Sequence, residues 1–192
     1  MKVGVTGATA KTPESILFGA CTVHKGLKYT EGTGWNFAES IKGATSGGSK
    51  MSMVPEITKI EVDGVFVATK GLDKKTGGAA SVEINFIELS QEVIKSALLA
   101  KVGESDDAEY VLLEDKADIT EDDYWENIAL VGKTLAGKPI IAILDNVICT
   151  SGFEPEPKNK ESTVVKLTFE CRGELGTHTD TLPWRIYYPK AV

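Results

Sequence analysis

One stretch constrains the fold more than any other: ASVEINFIEL, residues 80–89, runs directly into SQEVIKSALLAK, residues 90–101. The first part alternates, with Val82, Ile84 and Phe86 on one face and Ser81, Glu83 and Asn85 on the other, the period-2 pattern of a half-buried strand. The second part reads as a helix over about residues 90–102. Ser90 stands where an N-cap is needed, and Glu92 lies in the first turn, where the helix dipole favours an acid. Val93, Ile94, Ala97, Leu98 and Lys101 trace one stripe, and Gly103 supplies a stop. No second helix of this quality is legible. One helix among many strands cannot supply the crossovers of a parallel sheet, so the pattern predicts a mainly β fold. That fold is an antiparallel β-sandwich or barrel with one packed α-helix.

The other strands follow the same logic. ITKIEVDGVFVATKGL reads as a hairpin turning at Asp63-Gly64, and KKTGGAA as the next turn. WENIALVGK and KPIIAILDNVICTS are apolar enough to be central strands. STVVKLTFECRG alternates, with Val165, Leu167, Phe169 and Cys171 on one face and Lys166, Thr168, Glu170 and Arg172 on the other. EPEPKNKE is a proline-punctuated turn, and WRIYYP a short last strand. No repeat or domain linker interrupts the 192 residues, so one domain is expected.

The N-terminal MKVGVTGATAKTPES imitates a dinucleotide-binding turn. In that motif a glycine turn must open a helix whose N-terminus holds a pyrophosphate. Pro13 occupies the place of the helix body, and ILFGACTV after it reads as a strand. Residues 1–14 therefore read as a pliable arm, and no nucleotide cofactor is expected.

Residues 25–50, KGLKYTEGTGWNFAESIKGATSGGSK, are rich in Gly, Ser and Thr without a sustained period, so they read as a long loop. A loop of that length in a compact domain is usually functional or disordered. Trp35 and Phe37 argue against disorder, packing either on the parent domain or on a neighbouring molecule. Residues 104–126 hold eleven acids and one lysine, a net −10 in a chain of net −7, so the remainder carries +3. The segment lacks the central glycine of a calcium loop, and no metal is expected there. It reads as a solvated insert around Tyr110–Leu113, suited to repelling polyanions or choosing a basic partner.

Candidate chemistry is sparse. Cys21, Cys149 and Cys171 are widely spaced within strand-like sequence and read as buried free thiols. His24 and His178 each stand outside any recognisable motif, so no nucleophile–base pair is legible and an enzyme is not expected. The negative charge argues against a surface that grips nucleic acid. No apolar run approaches transmembrane length, and the Gly-rich start is not a secretory leader.

The order of elements has a likeness. The run MVPEITKIEVDGVFVATKGLDKKTGGAASVEINFIELSQEVIKSALLAK, with its Glu88-Leu89-Ser90 step from strand to helix, resembles the tail tube (major tail) proteins of long-tailed bacteriophages. IIAILDNVICTSGFEPEPKNKESTVVKLTFECRG resembles the last hairpin of that family, and the likeness spans about residues 15–188. It implies a structural subunit whose copies close into rings, commonly hexameric. The rings stack into a hollow tube within the virion, assembled in the bacterial cytoplasm. The implied partners are other copies of the chain, a tape-measure protein, tail terminator and distal tail proteins, and DNA in transit only, with no membrane.

On that reading the 25–50 loop makes the ring-to-ring contact, with Tyr29, Trp35, Phe37, Ile41, Met51 and Met53 as interface candidates. The N-terminal arm and the tail at 189–192 are secondary candidates. Glu83, Asn85 and Glu170 are candidates for the lumen, where acids would keep DNA from adhering. The competing reading is a monomeric β-barrel binding module whose acidic insert docks a basic partner.

Overall fold

The computed structural model describes residues 7–190, apart from the side chain of Phe18. A four-residue helix α1 (Thr12–Ser15) with Pro13 in its first turn leads into strand β1 (Leu17–Lys25). A small pair, β2 (Tyr29–Thr30) and β3 (Gly34–Trp35), and a short helix α2 (Phe37–Ser40) follow. Then come the long strands β4 (Thr45–Lys59) and β5 (Asp73–Phe86), helix α3 (Gln91–Leu98) and the pair β6 (Lys101–Gly103) and β7 (Leu112–Glu114). The chain finishes with β8 (Trp125–Thr134), β9 (Pro139–Cys149), β10 (Val165–Cys171) and β11 (Trp184–Tyr187).

Seven strands form one antiparallel sheet in the order β1-β8-β9-β10-β5-β4, with β11 also paired to β9. The mainly β, antiparallel architecture with one substantial helix is the one the alternation predicts. β10 and β11 occupy successive stretches of the same β9 edge. Cys171 lies opposite Val147, and Trp184 lies opposite Leu144 after the excursion of residues 172–183.

The sheet curls until its ends meet. Ile41, just ahead of β4, bridges His24 of β1, and Lys42 N donates to Val23 O at 2.9 Å. Inside lie Val82, Ile84 and Phe86 of β5 and Val165, Leu167, Phe169 and Cys171 of β10. They face Ile128 and Leu130 of β8 and Leu144, Val147 and Cys149 of β9. Trp125 lies over Phe169 with ring centroids 4.7 Å apart. β1 fits closely over β8 because Gly132 has no side chain: a Cβ there would sit 2.6 Å from Leu17 Cδ1.

Helix α3 is anchored as its sequence dictates. Val93 N donates to Ser90 Oγ at 3.3 Å, and Val93, Ser96 and Ala97 face the core. Trp125 Nε1 donates to Ser96 Oγ at 2.6 Å, satisfying both polar atoms. The helix stops earlier than Gly103: Leu99 takes the left-handed conformation at φ 51° and closes it, while Gly103 belongs to β6.

Residues 25–50 are not one long loop. They contain β2, β3, α2 and the start of β4, because Leu27, Trp35 and Phe37 bury against Ala129, Val131, Ile141 and Ile143. Nor is KKTGGAA a turn. It lies within β5, which pairs with β4 from Thr45↔Phe86 to Lys59↔Asp73 with a bulge at Thr76. Asp63-Gly64 does turn, with Val65 N donating to Val62 O at 3.1 Å, but early in a thirteen-residue connection between Lys59 and Asp73 rather than as a two-residue hairpin.

Candidate assembly surfaces

Most of the interface candidates are already occupied within the domain. Trp35 meets Tyr187 edge-on at 4.8 Å and stacks on Phe37 at 6.2 Å, and Phe37 lies edge-on to His24 at 5.8 Å. Met51 and Met53 pack on the main core. These four therefore have packing partners within their own domain, while each stays half-exposed. Such β-prone aromatics reach the domain because Asn36 ties the segment down. Lys28 N donates to Asn36 Oδ1 at 2.7 Å, and Asn36 Nδ2 donates to Gly26 O at 3.3 Å. Tyr29 and Ile41 remain exposed.

A run of exposed apolar residues lies elsewhere. β10 pairs with β5 only from Val165↔Phe86 to Glu170↔Ser81, so the outer halves of β4 and β5 project as a hairpin. Along and beyond its end Ile57, Ile60, Val62, Val65, Phe66 and Val67 are exposed, Phe66 at 95% and Val67 at 76%. Patches of this kind mark interaction sites more often than chance exposure. A cleft of about 1000 Å³ opens between β5 over Lys74–Ala79 and a wall made by Thr179–Leu182, Trp184 and Ile186. The sequence signal for the hairpin was present in ITKIEVDGVFVATKGL; its projection beyond the sheet was not, because that depends on where β10 ends.

The lumen candidates lie on the outward face of β5 and β10, where their alternation places them, but their charge is compensated. Lys166 Nζ lies 2.5 Å from one Glu83 oxygen and Lys50 Nζ 3.9 Å from the other. Lys166 chiefly holds the Glu83 carboxyl below the usual carboxylate range. Glu170 pairs with Arg172 at 2.8 Å and accepts from Thr150 Oγ1 at 3.1 Å, which likewise depresses it. Asn85 Nδ2 donates to Gly48 O at 3.2 Å.

In the acidic stretch most carboxylates are exposed, as expected of a solvated insert. Asp123 is the exception. Burial pushes its carboxyl up, but Lys116 at 2.5 Å and the Thr120 N–H at 2.7 Å outweigh that and hold it low. Asp123 and Thr120 thereby form a capping box on a single 3₁₀ turn, Glu121–Asp123. Leu112–Glu114 pairs with β6, and Glu114 meets Lys101 at 3.3 Å.

Of the groups that suggested chemistry, His24 and Cys171 have structural partners, whereas His178 buries Nδ1 without a hydrogen-bond partner. His24 is buried between Thr22 Oγ1 at 2.8 Å and Ser40 Oγ at 2.9 Å, and burial holds its imidazole below the ordinary value. Burial, with the Asp145 charge behind it, pushes the Cys171 thiol up to about 11. The three cysteines are free, and the described residues contain no group of three or more metal-ligating side chains. Glu92 receives both Lys25 and Lys42, the latter at 2.6 Å. Burial pushes Glu92 up, and the two lysines outweigh it. No helix of the described residues is long and apolar enough to cross a membrane. The helix after the N-terminal glycines spans four residues, too short for a phosphate-binding crossover. The first six residues of the arm, and residues 191–192 of the tail, lie outside the described residues. Comparison with known protein families and with curated proteins found no match to this chain.

Proposed function

We propose that the chain is a self-assembling structural subunit of a phage tail tube or a related tail-like conduit. The observation that carries this reading is the β4–β5 hairpin, which leaves the curled sheet and presents an apolar end with Phe66 almost wholly and Val67 largely exposed. A projection of this kind, meeting a different surface on an identical copy, makes a heterologous contact. Such contacts close into rings or continue as open assemblies, according to the rotation they impose. The proposed ring-to-ring contact moves from residues 25–50 to this hairpin. Tyr29 and Ile41 are kept as secondary contacts.

In the assembled tube the proposed partners are further copies in rings, with a hexamer the expected number. A tape-measure protein would lie within, terminator and distal tail proteins at the ends, and DNA only in transit. If the outward face of β5 and β10 lines the lumen, its paired acids make it near-neutral, and repulsion of DNA would fall to other carboxylates. Concentrating the protein and imaging it by negative-stain electron microscopy tests the proposal; tubes with a regular axial repeat are expected.

The exposed carboxylates of residues 104–126 favour a second reading, a binding module that docks a basic partner through this insert. It requires a monomer at all concentrations, and binding that weakens steeply with salt.

A further inference from the structure

The segment GVFVAT, residues 64–69, has the composition of a strand but forms no ladder with the described residues of its own chain: β4 stops at Lys59 and β5 starts at Asp73. A strong local preference left unmet by the fold is a conflict that functional sites, rather than ordinary loops, tend to carry. The same chain holds the complementary defect. β5 over Asp73–Ala79 is bonded to β4 on one edge and to no strand of the described residues on the other, and β11 is paired only to β9. Between these two edges lies the cleft of about 1000 Å³. Its wall presents Leu182, Trp184 and Ile186, and His178 on that wall buries Nδ1 without a hydrogen-bond partner. Charges match as well. The tip connection carries Glu61, Asp63 and Lys70, a net negative charge, and the cleft carries Lys74, Lys75 and Asp180, a net positive one.

We propose that residues 64–69 of one copy add as a strand to the free β5 edge of a second copy, seated in this cleft. The inference rests on the self-assembly reading and names its surfaces. Backbone groups of both edges would be satisfied by the ladder, and alternate side chains of the inserted strand would meet the apolar wall, the usual division of labour in strand addition. Because tip and cleft are different surfaces, each copy can receive one strand and give another, so the contact propagates.

The test uses the full chain. Val67→Cys and Ile186→Cys variants are mixed under mild oxidation, and cross-linked peptides are identified by mass spectrometry. A peptide joining positions 67 and 186 is expected. Separately, Phe66→Asp, at a position too exposed to unfold the domain, is expected to raise the concentration of half-assembly roughly ten- to a hundredfold. Ile186→Asp should do the same from the cleft side. If tubes form normally with no 67–186 link and with Phe66→Asp unaffected, the strand-insertion inference is overturned while the tube reading stands. If the wild type never self-associates, both fall. If Phe66→Asp instead removes binding to phosphatidylglycerol vesicles and leaves self-association unchanged, the tip is a lipid contact and the inference is again overturned.

Discussion

Replacing Lys116 with methionine should expose how the acidic segment is held. The Asp123 side chain is 1% exposed and that of Lys116 is 16% exposed, with Nζ 2.5 Å from Oδ2. Removing the ammonium leaves a buried carboxylate with the Thr120 N–H and hydroxyl as its donors, at 2.7 and 3.2 Å. Breaking one side of a buried pair costs about 3–5 kcal/mol when nothing compensates. With the Thr120 bonds retained, roughly 2–4 kcal/mol is expected, or about 6–12 °C in Tm if the loss is about 3 kcal/mol. Urea unfolding followed by tryptophan fluorescence measures it, with Trp125 two residues from Asp123 as the reporter.

The pH dependence gives a second reading of the same pair. Asp123 is held below its ordinary carboxyl value, so its stabilisation is full above the unfolded value near about 4. It is lost as pH falls through the depressed folded value. In Lys116→Met the two lowering effects of the ammonium are gone, so the carboxyl rises relative to the parent protein. The stability gap between the two proteins should therefore narrow on acidification. A gap under about 0.5 kcal/mol at pH 7, typical of a solvated surface pair, or a gap that does not change between pH 7 and 3, would refute the assignment of Asp123 as the anchor.

Other perturbations separate fold from assembly. Trp35→Ala should cost roughly 2–3 kcal/mol in urea titration by removing its contacts with Tyr187 and Phe37. It should leave the assembly concentration per folded molecule unchanged; selective loss of assembly would restore Trp35 as an interface residue. Lys160 is exposed at φ 64°, so Lys160→Gly should gain about 0.5 kcal/mol, visible as a small rise in Tm. His24 is held neutral by burial. The unfolded chain gains a proton below about pH 6.5 while the folded chain resists until its lower value. Stability should fall as pH drops through that window, and His24→Gln should flatten the slope in a pH series of melts.

The strands were legible wherever burial on one face imposed a period. Val82/Ile84/Phe86 and Val165/Leu167/Phe169 alternate because their opposite faces meet solvent, and the structure places both sets inside. The Ser90 cap was legible because capping is local chemistry. What escaped was set by long-range pairing. Gly77 and Gly78 resemble a turn in sequence, yet β4 holds them extended at Pro55 and Glu56. Residues 25–50 lack a period because Trp35 and Phe37 are positioned by Asn36 and by a platform on β8 and β9. The exposed hairpin end was half legible: its apolar residues predict a strand, but only the ends of β4 at Lys59 and of β5 at Asp73 show that this stretch pairs with no strand of the described residues.

The most direct measurement is electron microscopy of the concentrated full chain, paired with light scattering across a dilution series. The tube reading predicts hollow assemblies with a constant ring spacing, appearing above a threshold concentration and sensitive to Phe66→Asp. A monomer at every concentration, with no rings or tubes, would contradict it.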